Sequence, residues 1–464
     1  TKDWLSNLKL RLSYGTSGSD NISSNLWRET WSSLGSGSNH TPINGELGSF
    51  YRPDGLLANS KLKWETTISR NFGIDFGFLN NRVNGSLEVY WNTTKDLLMA
   101  VPVDNTTGYS YQFQNFGKTS NRGIELSVNV DVINKGDFRF NVGAIYNYNR
   151  NKLDELPNAD QYLYSSYWGS SSLVPTNDYM FVEGKAIGLV RGFISEGYYT
   201  VDDFNYTNGQ YVLKEGVPDI TKALTATYMH PYDLPAGQTA FPGAAKFRDV
   251  DESGTVDLDD ATCLGEVMPR HTGSFQLNFN YKNFDLSTNF NWTAGGKVYN
   301  VAAMINASGQ EFDGIGAQRA SWVADAFKVY NVNAAGDLYA VTNPDELRAL
   351  NANAKYHLPY HQSGITSSEW LENGSYLRLQ TLTLGYTLPK NWLTKVHVDK
   401  IRLYLTATNL FTITGYSGID PEVNANPTGQ SGFYSDLRIF PTLNMDFGTY
   451  PRARTFTFGA NITF

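Results

Sequence analysis

The clearest chemistry in the chain lies at residues 249–260, Asp-Val-Asp-Glu-Ser-Gly-Thr-Val-Asp-Leu-Asp-Asp. Asp249, Asp251, Ser253, Asp257 and Asp260 fall on positions 1, 3, 5, 9 and 12 of the EF-hand ligand spacing. Thr255 fills position 7 through its backbone carbonyl, and Gly254 stands at position 6, where the chain turns sharply. Oxygen ligands so spaced wrap a hard cation. Asp260 replaces the usual Glu and shortens the reach. Ca²⁺ is expected over Mg²⁺, because a flexible cage of protein oxygens suits the larger ion. The alternative is an Asx-rich surface turn that holds no ion.

Other groups offer less. His357 and His361 are four apart and could share a helical face, but Pro359 lies between them. Cys263 follows the acidic loop with no clear His partner, which favours a packed residue over a nucleophile. No Gly-x-Ser-x-Gly elbow, P-loop or zinc-protease motif occurs, so nothing points to an enzyme. Aromatics gather in two places: Tyr162, Tyr164, Tyr167 and Trp168, then Tyr356, Tyr360 and Trp370. The apolar C–H faces of sugar rings stack on such side chains. Tyr164, Tyr167, Trp168, Tyr360 and Trp370 are therefore the candidate substrate-binding residues. Loop packing, or a place in a membrane-interface girdle, explains any one of them equally well.

The elements that must position these groups are strands. Aromatics make up 14% of the 464 residues and Gly numbers 42, a mix suited to pleated strands and turns. Charged residues are scarce at 18%, yet mean hydropathy is −0.37 and no apolar run is long enough for a spanning helix. A transmembrane barrel reconciles the two, since only alternate residues need be apolar. A net charge of −8 leaves no basic footprint for nucleic acid. A single Cys excludes an internal disulfide. The opening TKDWLSNLKL has neither initiator Met nor signal-peptide pattern and resembles the middle of a larger protein.

Period-two alternation dominates. Val83, Leu87, Val89 and Trp91 oppose Asn84, Ser86, Glu88 and Asn92. Phe138, Phe140, Val142 and Tyr146 oppose Arg139, Asn141 and Asn147. Phe275, Leu277 and Phe279 oppose Gln276 and Asn278. A soluble sandwich shows the same alternation, but these runs reach the roughly ten residues of a tilted membrane strand. About twelve strands are expected, near 7–15, 63–78, 82–99, 121–133, 137–150, 177–182, 187–200, 272–283, 284–294, 374–388, 400–412 and 453–464. Short gaps alternate with long ones that begin near Thr16, Ala100, Asn151, Val201, Ala294 and Ile413. Outer-membrane barrels sort their connections this way. Asp178–Val182 is included because 187–200 alone would break the alternation. Residues 201–271 then form a long outer loop that carries the acidic motif. Phe458, Ile462 and the terminal Phe464 share one face of the last strand, a candidate barrel-assembly signal.

Several segments resemble one family. LKWETTISRNFGIDFGFLNNRVNGSLEVYWNTTKDLL (62–98), NFGKTSNRGIELSVNV (115–130), GSYLRLQTLTLGYTLP (374–389), IRLYLTATNLFTITGYSGIDPEV (401–423) and FGTYPRARTFTFGANITF (447–464) are similar, in order and spacing, to the barrel of SusC/RagA TonB-linked outer-membrane proteins. The resemblance implies an all-β, antiparallel, 22-stranded barrel with a plugged lumen, of which this chain resembles the C-terminal part. No plug or TonB-contacting segment is recognised in it. The resemblance further implies the outer membrane of Bacteroidetes, contact with lipid and TonB, a SusD-like surface lipoprotein as partner, and glycan or peptide as cargo. Similar acidic loops occur at this place in the family, and Asp at position 12 resembles dockerin-type calcium loops. A passive pore or autotransporter barrel and a surface-binding module remain alternatives; sequence upstream of Thr1 discriminates them.

Overall fold

The computed structural model describes the chain apart from residues 1–3, 20–25, 30, 34–41, 44–45, 48–50, 54–55, 110, 157–160, 167–172, 226–229, 309–319, 359–363, 394–397 and 424–442. Among the described residues, ten strands form one antiparallel sheet. They are β1 (Leu5–Ser19), β2 (Glu65–Phe78), β3 (Val83–Lys95), β4 (Lys118–Lys135), β5 (Phe138–Glu155), β6 (His271–Tyr281), β7 (Phe284–Ala294), β8 (Tyr376–Thr387), β9 (Lys400–Thr414) and β10 (Thr455–Thr463). Each pairs with its neighbours in chain order, and β1 and β10 are the two edges. No described helix is long and apolar enough to cross a membrane.

Alternation sorts the side chains as expected. On β3, Leu87 sits between Ile74 of β2 and Leu126 of β4, while Glu88 lies level with Gly73 and Glu125 on the opposite face. Apolar ladders run across the sheet, as where Phe140 stacks on Phe279 at 4.3 Å and Phe275 on Phe290 at 4.6 Å. The polar face carries ion pairs. Arg11 bridges Asp75 and Glu88 at 2.8 and 2.7 Å, and Arg402 holds Asp285 at 2.5 Å.

One end of the sheet is closed by tight turns. Leu79, Asn80 and Asn81 take left-handed φ values of 50°, 59° and 60°, and Gly136 and Lys282 turn the next two hairpins at 58° and 53°. All long connections leave the other end. They are five rather than six, because two of the expected staves are absent from the sheet. Tyr179–Val182 and Leu189–Gly192 instead belong to a separate four-stranded sheet with Gln161–Tyr164 and Thr262–Glu266. Strand β5 passes directly to β6, pairing Tyr148 with His271. The expected even number of sheet strands between them is zero. The long connection accordingly starts after Glu155, not at Val201.

Among the described residues, four of the five connections share the apolar cores of a cap, and the first joins it at the edge through Leu56–Leu57 paired with Tyr111–Gln112. One apolar core joins Met99, Phe116, Leu153, Tyr179, Tyr299, Met304, Trp370 and Met445. A second joins Phe193, Tyr199, Phe241, Phe247, Phe327, Leu347 and Ile365. Burial of these side chains, and not hairpin geometry, orders this end of the molecule.

Candidate cation site and its surroundings

The acidic loop is spliced between two anchored strands of the cap. Ala245–Phe247 pairs with Ser195–Tyr198 before it, and Thr262–Glu266 pairs with Leu189–Gly192 after it. Thr255–Val256 also lies parallel to Asp219–Ile220. Arg191 reaches in to donate to the Leu258 carbonyl at 3.1 Å. The loop ends are thus fixed before any ion is considered.

Inside the loop, Glu252 and Gly254 adopt left-handed φ of 60° and 87°, the second being the conformation that glycine supplies at position 6. Carboxylate oxygens of Asp249, Asp251 and Asp260 lie within 4.8 Å of one another. Asp260 is fully buried. Its Oδ1 accepts from the Val250 and Asp251 amides at 2.5 and 3.3 Å, and its Oδ2 from the Asp257 amide at 2.8 Å. Asp249 accepts from the Ser253 and Gly254 amides at 3.1 and 2.7 Å. The Ser253 amide also donates to Asp251, and this bond chiefly holds that carboxyl below the ordinary Asp range. Three carboxylates so close repel, and a divalent cation would offset that repulsion.

The remaining candidate ligands are turned to local bonds. The Ser253 hydroxyl donates to the Thr255 carbonyl at 3.0 Å, and Asp257 accepts from the Asp259 amide at 2.8 Å. The Thr255 carbonyl and the Asp257 carboxylate oxygen each keep a second lone pair. The donor set, all oxygen with an acidic majority, fits Ca²⁺.

The aromatic candidates fare differently. Tyr164 and Trp370 are 5% and 4% exposed and belong to the first cap core. Tyr164 packs on Phe181 at 4.7 Å, and Trp370 on Trp322 at 5.4 Å. Both are core residues, a correction to their reading as ligand-facing platforms. Tyr167, Trp168 and Tyr360 lie outside the described residues, as does His361. His357 is buried edge-on to Trp322, with its Nδ1 2.8 Å from the Leu358 carbonyl. Cys263 stands across from Arg191 in a cap strand. Phe458, Ile462 and Phe464 line one exposed face at the β10 edge.

A buried ionic centre, unmarked by any local motif, lies at Arg378. Arg378 on β8 is 3% exposed and holds Asp420 at 2.5 Å and Glu422 at 2.8 Å, while Arg452 adds a second cation to Glu422 at 2.8 Å. The alternation of β8 signalled only a polar-face residue.

Comparison with known proteins is consistent across the whole chain. Residues 3–410 match the family model described as "TonB dependent receptor-like, beta-barrel". TonB-dependent receptor P3 of Formosa agariphila is 30% identical over 457 residues, covering 98% of this chain and 39% of that protein. TonB-dependent receptor SusC of Bacteroides thetaiotaomicron is 27% identical over 470 residues, 99% of this chain and 38% of its own. The solved RagAB peptide transporter covers the whole chain and 42% of its own, with a TM-score of 0.67 at 21% identity, a likeness of fold. The chain thus spans about two fifths of the curated relatives it matches.

Proposed function

The chain belongs to the TonB-dependent receptor β-barrel family, of the SusC/RagA type, and from that premise we propose that it supplies the wall and outer rim of an importer for large nutrients. Its place is the bacterial outer membrane, and its family is one of transporters, not enzymes. What carries the reading is the match to the barrel family over residues 3–410, on a sheet whose long connections all leave one end. Such an asymmetric cap is far larger than a passive pore needs. It offers a docking surface for a SusD-like surface lipoprotein that closes over the mouth. Cargo held between that lid and a plug would pass inward when TonB moves the plug, driven by the inner-membrane proton gradient.

Oligosaccharide is the cargo we favour, from the commonest role of the resembled family. Oligopeptide is the second reading, because RagAB, whose fold this chain shares, is a peptide transporter. Deleting the gene and its neighbouring lipoprotein gene, then following growth on defined glycans and on peptides, separates them. We expect growth on one glycan class to fail in both deletions. Unimpaired uptake of every large substrate would sink the importer.

The cap loop at 249–260 is, in this reading, a Ca²⁺ site. Asp249, Asp251, Ser253, Asp257 and Asp260 would give side-chain oxygens and Thr255 its carbonyl. Adding Ca²⁺ to the chelator-treated receptor should protect the loop from proteolysis, with Mg²⁺ much weaker. Asp249→Asn and Asp251→Asn should abolish that protection while β1 to β10 stay intact. Equal cleavage with and without Ca²⁺ would rule the site out.

A further inference from the structure

A cleft of about 530 Å³ opens on the cap between the hairpin Phe204–Thr207/Gln210–Leu213 and the helix Pro344–Leu350. Its size is that of small-ligand sites. We infer that this cleft is a carbohydrate subsite that holds a neutral sugar ring of the incoming chain against Tyr206, an inference that rests on the oligosaccharide reading and deepens it.

The first observation is the ring. Tyr206 is 42% exposed, although it sits in a well-fixed hairpin. Asn208 and Gly209 make the two-residue turn with φ of 53° and 84°, the pairing that best matches strand twist. Tyr206 lies opposite Tyr211, with centroids 4.9 Å apart. Tyr211 is buried and donates to the Thr342 carbonyl at 2.9 Å. The exposed ring is therefore backed by a locked one, so it costs little entropy to use as a platform.

The second observation is the rim. Asp202 and Arg348 face each other at 2.8 Å, with side chains 74% and 52% exposed. Arg348 also holds Asp345 at 2.9 Å. Lys214 donates to the Asp202 carbonyl oxygen at 2.6 Å, which fixes the rim in place. An exposed ion pair of this kind adds little to stability. Planar carboxylate and guanidinium groups do, however, meet neighbouring hydroxyls two at a time.

Together these select a class of ligand. Of the charged residues that line the cleft, Arg348 is already paired with Asp202 and, from beside the cleft, with Asp345, while Lys214 is bonded to the Asp202 carbonyl, so no lone charge there selects an anion or a cation. Val201, Phe204 and Tyr211 line the cleft but are buried, so the ring of Tyr206 is the largest exposed apolar surface in it. An exposed ring beside balanced planar polar groups suits a flat polyhydroxylated ring. The open side lets the rest of an extended chain run on.

The test uses the full-length receptor in detergent and titration calorimetry with gluco-, manno-, xylo- and fructo-hexaose, and with a pool of hexapeptides. We expect one hexaose to bind, and Tyr206→Ala and Arg348→Ala each to remove one binding site or weaken it at least tenfold. Tyr206→Trp should keep it. Both residues are exposed, so thermal unfolding should not move. Unchanged stoichiometry and affinity in both variants would overturn the subsite and leave glycan import standing. A wild-type receptor that binds only hexapeptides would overturn the subsite and the glycan reading alike. A peptide site lost in the variants would overturn the assigned ligand class. Binding of none of these probes would overturn the subsite.

Discussion

Replacing Arg378 by alanine should loosen the segment after β9 by about 3–5 kcal/mol, the cost of leaving one partner of a buried ion pair uncompensated. Arg378 is 3% exposed and Asp420 10%, so neither charge has bulk water to fall back on. The guanidinium donates to Asp420 at 2.5 Å, to Glu422 at 2.8 Å and to the Thr412 hydroxyl at 3.0 Å. It also lies 5.3 Å from the centre of the Tyr376 ring. This one side chain thus ties β8, β9 and the following loop together. Lysine cannot reproduce the fork, so Arg378→Lys should fall between wild type and alanine. Hydrogen exchange of residues 415–423 is the suitable readout, because a large membrane protein does not unfold in two states. Protection there should fall by roughly two to three and a half orders of magnitude in Arg378→Ala. Adding Asp420→Asn and Glu422→Gln should recover part of it. Unchanged protection in Arg378→Ala would show that the network is not holding the loop.

What the sequence made legible follows from the range of the interactions involved. Strands β2 to β7 could be read because alternation and tight turns are local. The acidic loop could be read for the same reason: Gly254 and the three converging carboxylates lie within twelve residues. Strand β8 was harder. One extra residue between Leu379 and Thr381 shifts its phase, so Leu377 and Leu379 share a face with Leu382 and Leu384. Alternation alone reads these as opposite faces.

The cap was the least legible part, because its order comes from contacts between distant segments. Tyr179–Val182 has the alternation and turn of a stave, yet it packs among residues from three other connections. The same long-range burial moved Tyr164 and Trp370 from surface to core. A cluster of aromatics in a loop signals packing and binding alike, and only the fold decides between them. Tyr206 makes the converse case, since nothing in its neighbourhood sets it apart in the sequence. Arg378 needed Asp420, 42 residues away, before it meant anything.

The faces of the sheet give the other large effect. Leu87→Arg on β3 should cost roughly 2–4 kcal/mol, the penalty for a charge on the lipid face near mid-membrane. Leu87 lies within β3, level with Ile74 and Leu126, so its neighbours are apolar on both sides. The strand has thirteen residues, more than the roughly nine to eleven needed to cross, and Leu87 falls within the crossing part. Ser86→Arg is the matched control. Ser86 faces the other way and pairs with Asp75, where a new cation meets an acid. That variant should be close to neutral. Hydrogen exchange of residues 83–95 in the full-length receptor, reconstituted in lipid vesicles, reads both. Cysteine labelling adds an independent check, with water-soluble reagent reaching Asn84→Cys and not Leu87→Cys. A receptor that tolerates arginine at 87 as well as at 86, or that labels at 87 and not at 84, would reverse the assigned faces. The Arg11–Glu88 pair would then lie in hydrocarbon, where two charges taken out of water lose more in desolvation than their attraction returns. The sign of that balance is why the polar face must enclose the lumen.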